Sequence, residues 1–337
     1  MKTQHDRLDD LIGKFYFRDI HENVFLGTAS DRYAGWLGQI YSPELYRGKI
    51  TRRTKQVGGQ RLVEEILPIE SVGEYFEHFR VLELDFTFYG LLLDENERPT
   101  RIFRTLLEYK ANMNNSGELI LKVPQVIFAR KLMRKGDFVE NEEYLNVDTF
   151  VKRFYGPARE ILGRNLRGVI FEQEYQKKSY RVPPGELASE LDHFFGNIPE
   201  DDGYHVELRT RDYLCKPVFR VLEKYGIGQV LSHWTWLPRL KVQFRASGER
   251  FFNSGKNAVI RLMTPRGIRY EEAYVKAHPF DKIVEGMINS DMIDDTVEIM
   301  KKAIDEGFDA NVIVNNRAGG NAPMIAQMIA RKFLDTN

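Results

Sequence analysis

The sequence predicts an α/β protein folded as a single (β/α)8 TIM-type barrel, on three observations. Eight short apolar stretches recur along the chain, and most intervals between them carry helical periodicity, which favours parallel pairing and closure. Residues 81–89, Val-Leu-Glu-Leu-Asp-Phe-Thr-Phe-Tyr, alternate strictly: Leu82, Leu84, Phe86 and Phe88 fall on one face, Glu83, Asp85, Thr87 and Tyr89 on the other. In a parallel barrel the apolar face packs on outer helices, and the polar face points inward toward the carboxyl-terminal mouth, where such folds place chemistry. Finally, 337 residues with 42% hydrophobic and 29% charged side chains suit one such domain with a sizeable core. An open doubly wound sheet is the rival, weakened by the lack of a Gly-x-Gly-x-x-Gly after the first strand.

In chain order, residues 1–23 read as an N-terminal appendage with a helical turn near 7–12, and residues 24–337 as the barrel domain. Strand one is 24–30, followed by a Gly- and Tyr-rich loop at 31–38 and a basic loop at 49–55. A short helix at 71–79 leads into the strand 81–89, and the apolar spacing of 101–109 is helical. Strand three is 118–124; the interval 137–165 is helical, best at 147–154; strand four is 168–173. Pro183-Pro184 starts a helix continued by 187–195, because proline is tolerated at a first helical position. Strands at 205–209, 228–233, 258–263 and 311–316 follow, with helices at 218–225, 291–306 and 322–334.

Lys+Arg and Asp+Glu both number 49, so no global field steers the chain toward nucleic acid or an anionic membrane. The single cysteine, Cys215, makes no intramolecular disulfide and no thiolate cluster, which favours a reducing compartment. The start is charged, and no apolar run reaches membrane-spanning length. A cytoplasmic protein without a membrane partner is expected.

The polar residues at the strand ends carry the chemistry. Acids Glu83, Asp85 and Glu207 face bases Lys122, Arg209 and Arg261, with Glu172 or Gln173 on strand four, Ser232 and His233 on strand six, and Asn315-Asn316 on strand eight. Isolated buried charges cost several kcal/mol each, so these groups must pair or meet a charged ligand. One reading is a structural ion-pair network; the other is a pocket for a polar, anionic small molecule. In the second, Lys122, Arg209 and Arg261 bind a phosphate or carboxylate, Glu83 or Glu207 is general acid or base, and Asn315 and Asn316 orient the substrate. No cofactor is expected. A variant adds a divalent metal on Glu83, Asp85, Glu172, Glu207 and His233, opposed by the three bases and by the lack of tight ligand spacing. A different class is a non-catalytic binder, including one for nucleic acid. Arg32, Arg47, Lys49, Arg52, Arg53 and Lys55 are interleaved with Tyr33, Trp36, Tyr41 and Tyr46, a composition suited to phosphate contact and base stacking. A solvated loop face is the plainer account of that stretch. No nucleophile elbow or Walker loop occurs.

The same residues resemble the domain of unknown function 72 (YecE-like) family over about 27–334. Gly27, Gly35-Trp36, Gly38 and Tyr41-Ser-Pro43 are similar to its opening region, and Leu82-Glu-Leu-Asp-Phe-Thr-Phe-Tyr89 to its most recognisable strand. Lys122-Val-Pro124, Gln173, Glu207-Leu-Arg209, Arg261, Asn315-Asn316, Gly319, Gly320 and Ala322-Pro323 match its later motifs. The chain resembles a divergent member. Asp85 and Phe86 replace Asn-Ser, Phe128-Ala129 replaces Thr-His, Glu174-Tyr175-Gln176 replaces Leu-Pro-Pro, and Thr210, Tyr213 and Met263-Thr264 replace His, Trp and His-Gly. The resemblance implies one barrel, adds Gln173, Tyr89 and Trp36 to the candidate substrate-binding residues, and implies no reaction.

Overall fold

The computed structural model describes residues 4–134, 136–176 and 178–336. Its strands, in chain order, are β1 (Val24–Ala29), β2 (Thr51–Val57), β3 (Gln60–Ile66), β4 (Val81–Leu84), β5 (Glu118–Lys122), β6 (Lys131–Arg134), β7 (Asp137–Glu140), β8 (Leu166–Glu172), β9 (Tyr204–Glu207), β10 (Gly228–His233), β11 (Asn257–Leu262) and β12 (Asp309–Val314). Eight of them close into a parallel barrel in the order β1-β12-β11-β10-β9-β8-β5-β4, with β4 pairing back to β1. Helices fill most of the intervals, as the sequence predicts. β1, β4, β9 and β10 are buried along their whole lengths, the expected state of strands covered on both faces.

Strand parity separates two sets of apolar side chains. Leu82, Leu84, Leu119, Leu121, Val206 and Ile260 face outward into the large core shared with the helices. Phe25, Val81, Ile120, Ile170, Val230, Val259 and Ile313 pack together inside the barrel. Below this inner layer, Arg167 sits where the β5–β8 register shifts, ion-paired to Glu118 at 2.6 Å and Asp309 at 2.8 Å. Its guanidinium lies 3.5 Å from the Phe25 ring centre, and that of Arg80 lies 3.6 Å from it. The interior is therefore filled at the amino-terminal end, which leaves the opposite end for a site.

Three expectations about elements are corrected. The stretch 81–89 is not one strand: β4 ends at Leu84, and Asp85–Tyr89 is a helical turn. Thr87 is buried in that turn and donates its hydroxyl to the carbonyls of Leu84 and Lys122, whereas Tyr89 swings out and is 79% exposed. A turn satisfies those groups locally, so alternation of residue type outlasts the strand. The basic loop 49–55 is instead one arm of a hairpin, β2 pairing antiparallel with β3 around Gly58-Gly59, both at positive φ. Its polar residues on both faces hid it, although two adjacent glycines are a hairpin signal. The interval 137–165 begins with β7, which pairs with the preceding β6 in a second hairpin, and continuous helix runs only from Val147 to Leu162.

Near the N-terminus, the helix Gln4–Gly13 packs on Ala322–Asp335, with Gln327 donating to the Ile12 carbonyl at 2.9 Å. Ile12, Phe17 and Ile20 join the main core. Among the described residues, no helix is long and apolar enough to cross a membrane.

The β1–β4 seam admits no side chain at Gly27, where a Cβ would stand 2.0 Å from the Val81 carbonyl oxygen. Gly27→Ala is expected to cost about 3 kcal/mol in urea denaturation. Gly48→Ala, where a Cβ meets nothing within 4 Å, should stay within about 0.5 kcal/mol.

Candidate functional site

Five barrel strands deliver charge to one place. Arg261 of β11 is fully buried, and its guanidinium grips both oxygens of Glu83 (β4) at 2.7 and 2.5 Å. The same group reaches Glu172 (β8) at 3.2 Å and also donates to Glu207 (β9). Glu172 is shared further, with Lys122 of β5 at 2.6 Å and with Arg209 at 2.9 Å. Lys122 stands 3.6 Å from Asp85, and Arg209 3.4 Å from Glu207. Aromatic rings back both bases: Lys122 lies 4.1 Å from the centre of the Phe88 ring, and Arg209 lies 4.3 Å from that of Trp234. Four carboxylates thus meet three cations, so a fully ionised cluster carries one excess negative charge.

That imbalance divides the acids. Burial pushes Glu83 up to about 7, only partly offset by Arg261. Burial also raises Asp85, but Lys122, then Arg261 and Arg317, outweigh it and hold the group at about 2. Arg209, Lys122 and Arg261 do the same for Glu172, again to about 2. Burial works against the Arg261 charge, yet Glu83 and Glu172 prevail and raise its pKa. Glu83 is therefore the member of the cluster that carries a proton near neutral pH, hydrogen-bonded toward Asp85.

Above the cluster opens a cavity of about 1220 Å³. Of the strand-end residues singled out in the sequence, Asp85, Lys122, Glu172, Arg209 and Tyr89 line it, and so do Arg32, Tyr33, Arg52, Arg53 and Lys55 of the basic, aromatic stretch. Glu83, Glu207 and Arg261 lie beneath its floor, with no exposure at all. Four further candidates serve the backbone around the mouth rather than the cavity wall. Trp36 is buried and donates its indole N–H to Asn316 at 3.2 Å; Asn316 also accepts the Ala322 N–H at 2.7 Å. Asn315 caps the following turn by accepting the Arg317 N–H at 3.0 Å. Gln173 is buried at the end of β8, its backbone N–H bonded to the Glu207 carbonyl. His233 turns away from the acids toward Thr264 and Arg266, and burial depresses it to about 4. Among the described residues no group of three or more His, Cys, Asp or Glu is arranged to hold a metal ion.

The hairpin β2–β3 forms one wall of the cavity and is pinned to the helix Tyr270–Ala277 through Val57, Ala273 and Tyr274. Its bases are paired across the strands, Arg52 with Glu65 at 2.8 Å and both Arg53 and Lys55 with Glu64. Trp36, Tyr41 and Tyr46, expected to interleave with those bases on a stacking surface, are buried instead.

Sequence reasoning missed Asp31, Arg101, Trp234, Tyr270 and Arg317, all of which line the cavity. Arg317 was within reach, since it directly follows Asn315-Asn316 on a strand end. Arg101 and Arg317 have no acidic partner within ion-pair distance among the described residues; Arg317 lies over the Tyr270 ring at 4.4 Å.

Two measurements follow from the cluster. Removing the shared cation in Arg261→Met should lower stability by about 4 kcal/mol at pH 7, and by less at pH 4, where the released carboxylates protonate. Glu83 titrates higher in the folded than in the unfolded chain, so it adds stability below about pH 4.5 that is lost as pH rises to about 7. Asp85 and Glu172 act oppositely, losing their contribution as pH falls from about 4.5 toward 2. Melting curves of Glu83→Gln should therefore show a shallower decline than wild type between about pH 4.5 and 7, the remainder coming from Asp31, which burial raises to about 6.

Comparison with known proteins agrees with this architecture. The crystal structure of a DUF72 family protein from Enterococcus faecalis superposes with a TM-score of 0.52 at 14% identity, covering 93% of this chain and 95% of that one. A DUF72 family protein from Thermotoga maritima aligns at 14% identity over 93% of this chain and 99% of its own, with a TM-score of 0.49. A search of curated proteins returns no match. The model of the family described as "Protein of unknown function DUF72" matches residues 64–336, which takes in every strand of the barrel but β1. The chain belongs to the DUF72 family.

Proposed function

We propose that the chain is an enzyme acting on a small polar molecule that bears a phosphate or carboxylate, by general acid/base chemistry at the carboxyl-terminal mouth of the barrel. One observation carries this reading: a cavity has ion-paired acids and bases from separate strand ends as its floor and two uncompensated arginines, Arg101 and Arg317, in its wall. An ordinary barrel interior is filled with branched apolar side chains, so a charged floor is a departure that a ligand explains.

The roles divide by position. Arg317 and Arg101 bind the anionic group, because guanidinium groups present donors in a fork suited to carboxylate and phosphate. Asp85 lines the cavity, its Oδ1 making no hydrogen bond and lying 3.6 Å from the Lys122 ammonium, and so is placed to accept a substrate proton. Glu83, behind it and half-protonated near neutrality, receives or returns that proton. Two adjacent carboxyl groups whose pKa values are driven apart are the usual basis for such a division of labour. Lys122 and Arg209 keep Glu172 ionised and hold the floor rigid. The bound substrate would lie between the charged floor and the β2–β3 hairpin.

A thermal-shift screen of phosphates, sugar phosphates and carboxylates tests the proposal. At least one anion should raise the wild-type midpoint, and Arg317→Ala should weaken that effect by ten-fold or more in concentration. Asp85→Asn should keep the binding and lose any turnover by about 100-fold or more. A wild-type protein indifferent to every anion would leave the network purely structural.

A further inference from the structure

The residue with the least evident structural reason is Asp31. It directly follows Ser30, which adopts a left-handed backbone conformation with φ of 69°. A non-glycine residue rarely accepts that conformation, and here it turns the chain at the top of β1 so that the Asp31 carboxyl enters the cavity wall. The turn is held on three sides. Thr28 donates its hydroxyl to the Ser30 carbonyl at 2.7 Å, Ser30 N–H donates to the Glu83 backbone carbonyl at 2.9 Å, and Tyr41 donates to the Asp31 carbonyl at 2.8 Å.

The side chain itself is only half satisfied. Asp31 is 1% exposed; Oδ1 accepts the Tyr109 hydroxyl at 2.8 Å, and Oδ2 has no partner. No cation stands within ion-pair distance of it among the described residues; the neighbouring Arg32 guanidinium donates to the Leu67 carbonyl at 2.6 Å. A buried carboxylate oxygen left without a donor is destabilising unless a ligand supplies one.

We infer that Asp31 is a substrate-binding residue that receives an ammonium group, and that the ligand of this cavity is zwitterionic. This rests on the anionic reading proposed above, and refines it: the anion goes to Arg317 and Arg101 in the wall, the ammonium to Asp31 Oδ2 at the end of β1. A hydroxyl would satisfy the oxygen's geometry and leave the charge uncompensated, so an ammonium is the better complement. Burial holds Asp31 at about 6, so it is mainly ionised at neutral pH and loses its charge in mild acid. The titratable groups facing it are Arg32 and the hydroxyls of Tyr41, Tyr75 and Tyr109, all three pushed above the ordinary tyrosine value and silent in this range.

The test uses two small probes on the full chain, followed by saturation-transfer NMR. Ethanolamine reads the Asp31 position, and inorganic phosphate reads the arginines. Ethanolamine should bind wild type at millimolar concentration, while its neutral analogue ethylene glycol does not. Asp31→Asn keeps an acceptor for Tyr109 and should weaken ethanolamine ten-fold or more with phosphate unchanged; Arg317→Ala should do the reverse. Should Asp31→Asn fail to fold, wild type still decides, because ethanolamine binding should fall about ten-fold from pH 7.5 to 5 while the probe stays protonated. Equal binding of ethanolamine and ethylene glycol, no binding of ethanolamine, or binding indifferent to both Asp31→Asn and pH overturns the inference. Loss of phosphate binding alone would sink the anionic reading and leave the ammonium site standing.

Discussion

One guanidinium ties the upper barrel together. Arg261 rises from β11 and binds carboxylates from β4, β8 and β9, none of which pairs with β11 in the barrel wall. Hydrogen bonds between neighbouring strands close the wall; Arg261 spans the lumen. Its desolvation is offset only because three acids surround it, and their burial is tolerable only because it is there. Neither side of that arrangement is stable without the other, so the charged layer forms as a unit when the barrel closes.

The layer also fixes geometry upward. Glu172 is held by Arg261, Arg209 and Lys122 at once, which leaves it no freedom to choose another rotamer. Lys122 is positioned on its other side by Phe88, and Arg209 by Trp234. The atoms on the cavity floor are therefore held by one another, by Arg261 beneath them and by the rings of Phe88 and Trp234 beside them, the rigidity a preorganised site requires. The proton near neutrality belongs to the same arrangement, since it resolves a charge count that the three cations leave unbalanced.

Much of the fold was legible because strands covered on both faces leave a strong apolar trace. All eight barrel strands were placed by it, and parity correctly turned Glu83, Lys122, Glu207 and Arg261 inward. The errors lie where backbone geometry departs from residue pattern. Asp85–Tyr89 keeps its alternation while coiling, and β2 has no apolar face to advertise. The cavity wall was the least legible part, because Asp31, Arg101 and Arg317 come from loops and turns whose placement depends on tertiary contacts. A carboxyl turned by one left-handed serine has no signature in a linear pattern. Trp36 and Asn316 looked like binding residues and are a hydrogen-bonded brace, a distinction only contacts reveal.

The packing at the opposite end bears on how the cavity is used. The inner apolar layer and the Arg167–Phe25–Arg80 stack occupy the lumen below the charged floor, so the barrel is a vessel with a bottom. The hairpin β2–β3 leans over its opening, fastened to the helix Tyr270–Ala277. A molecule that enters must leave by the way it came, past the same wall of arginines. Traffic through one doorway is strictly sequential, and the tighter that doorway holds an anion, the longer each visitor delays the next.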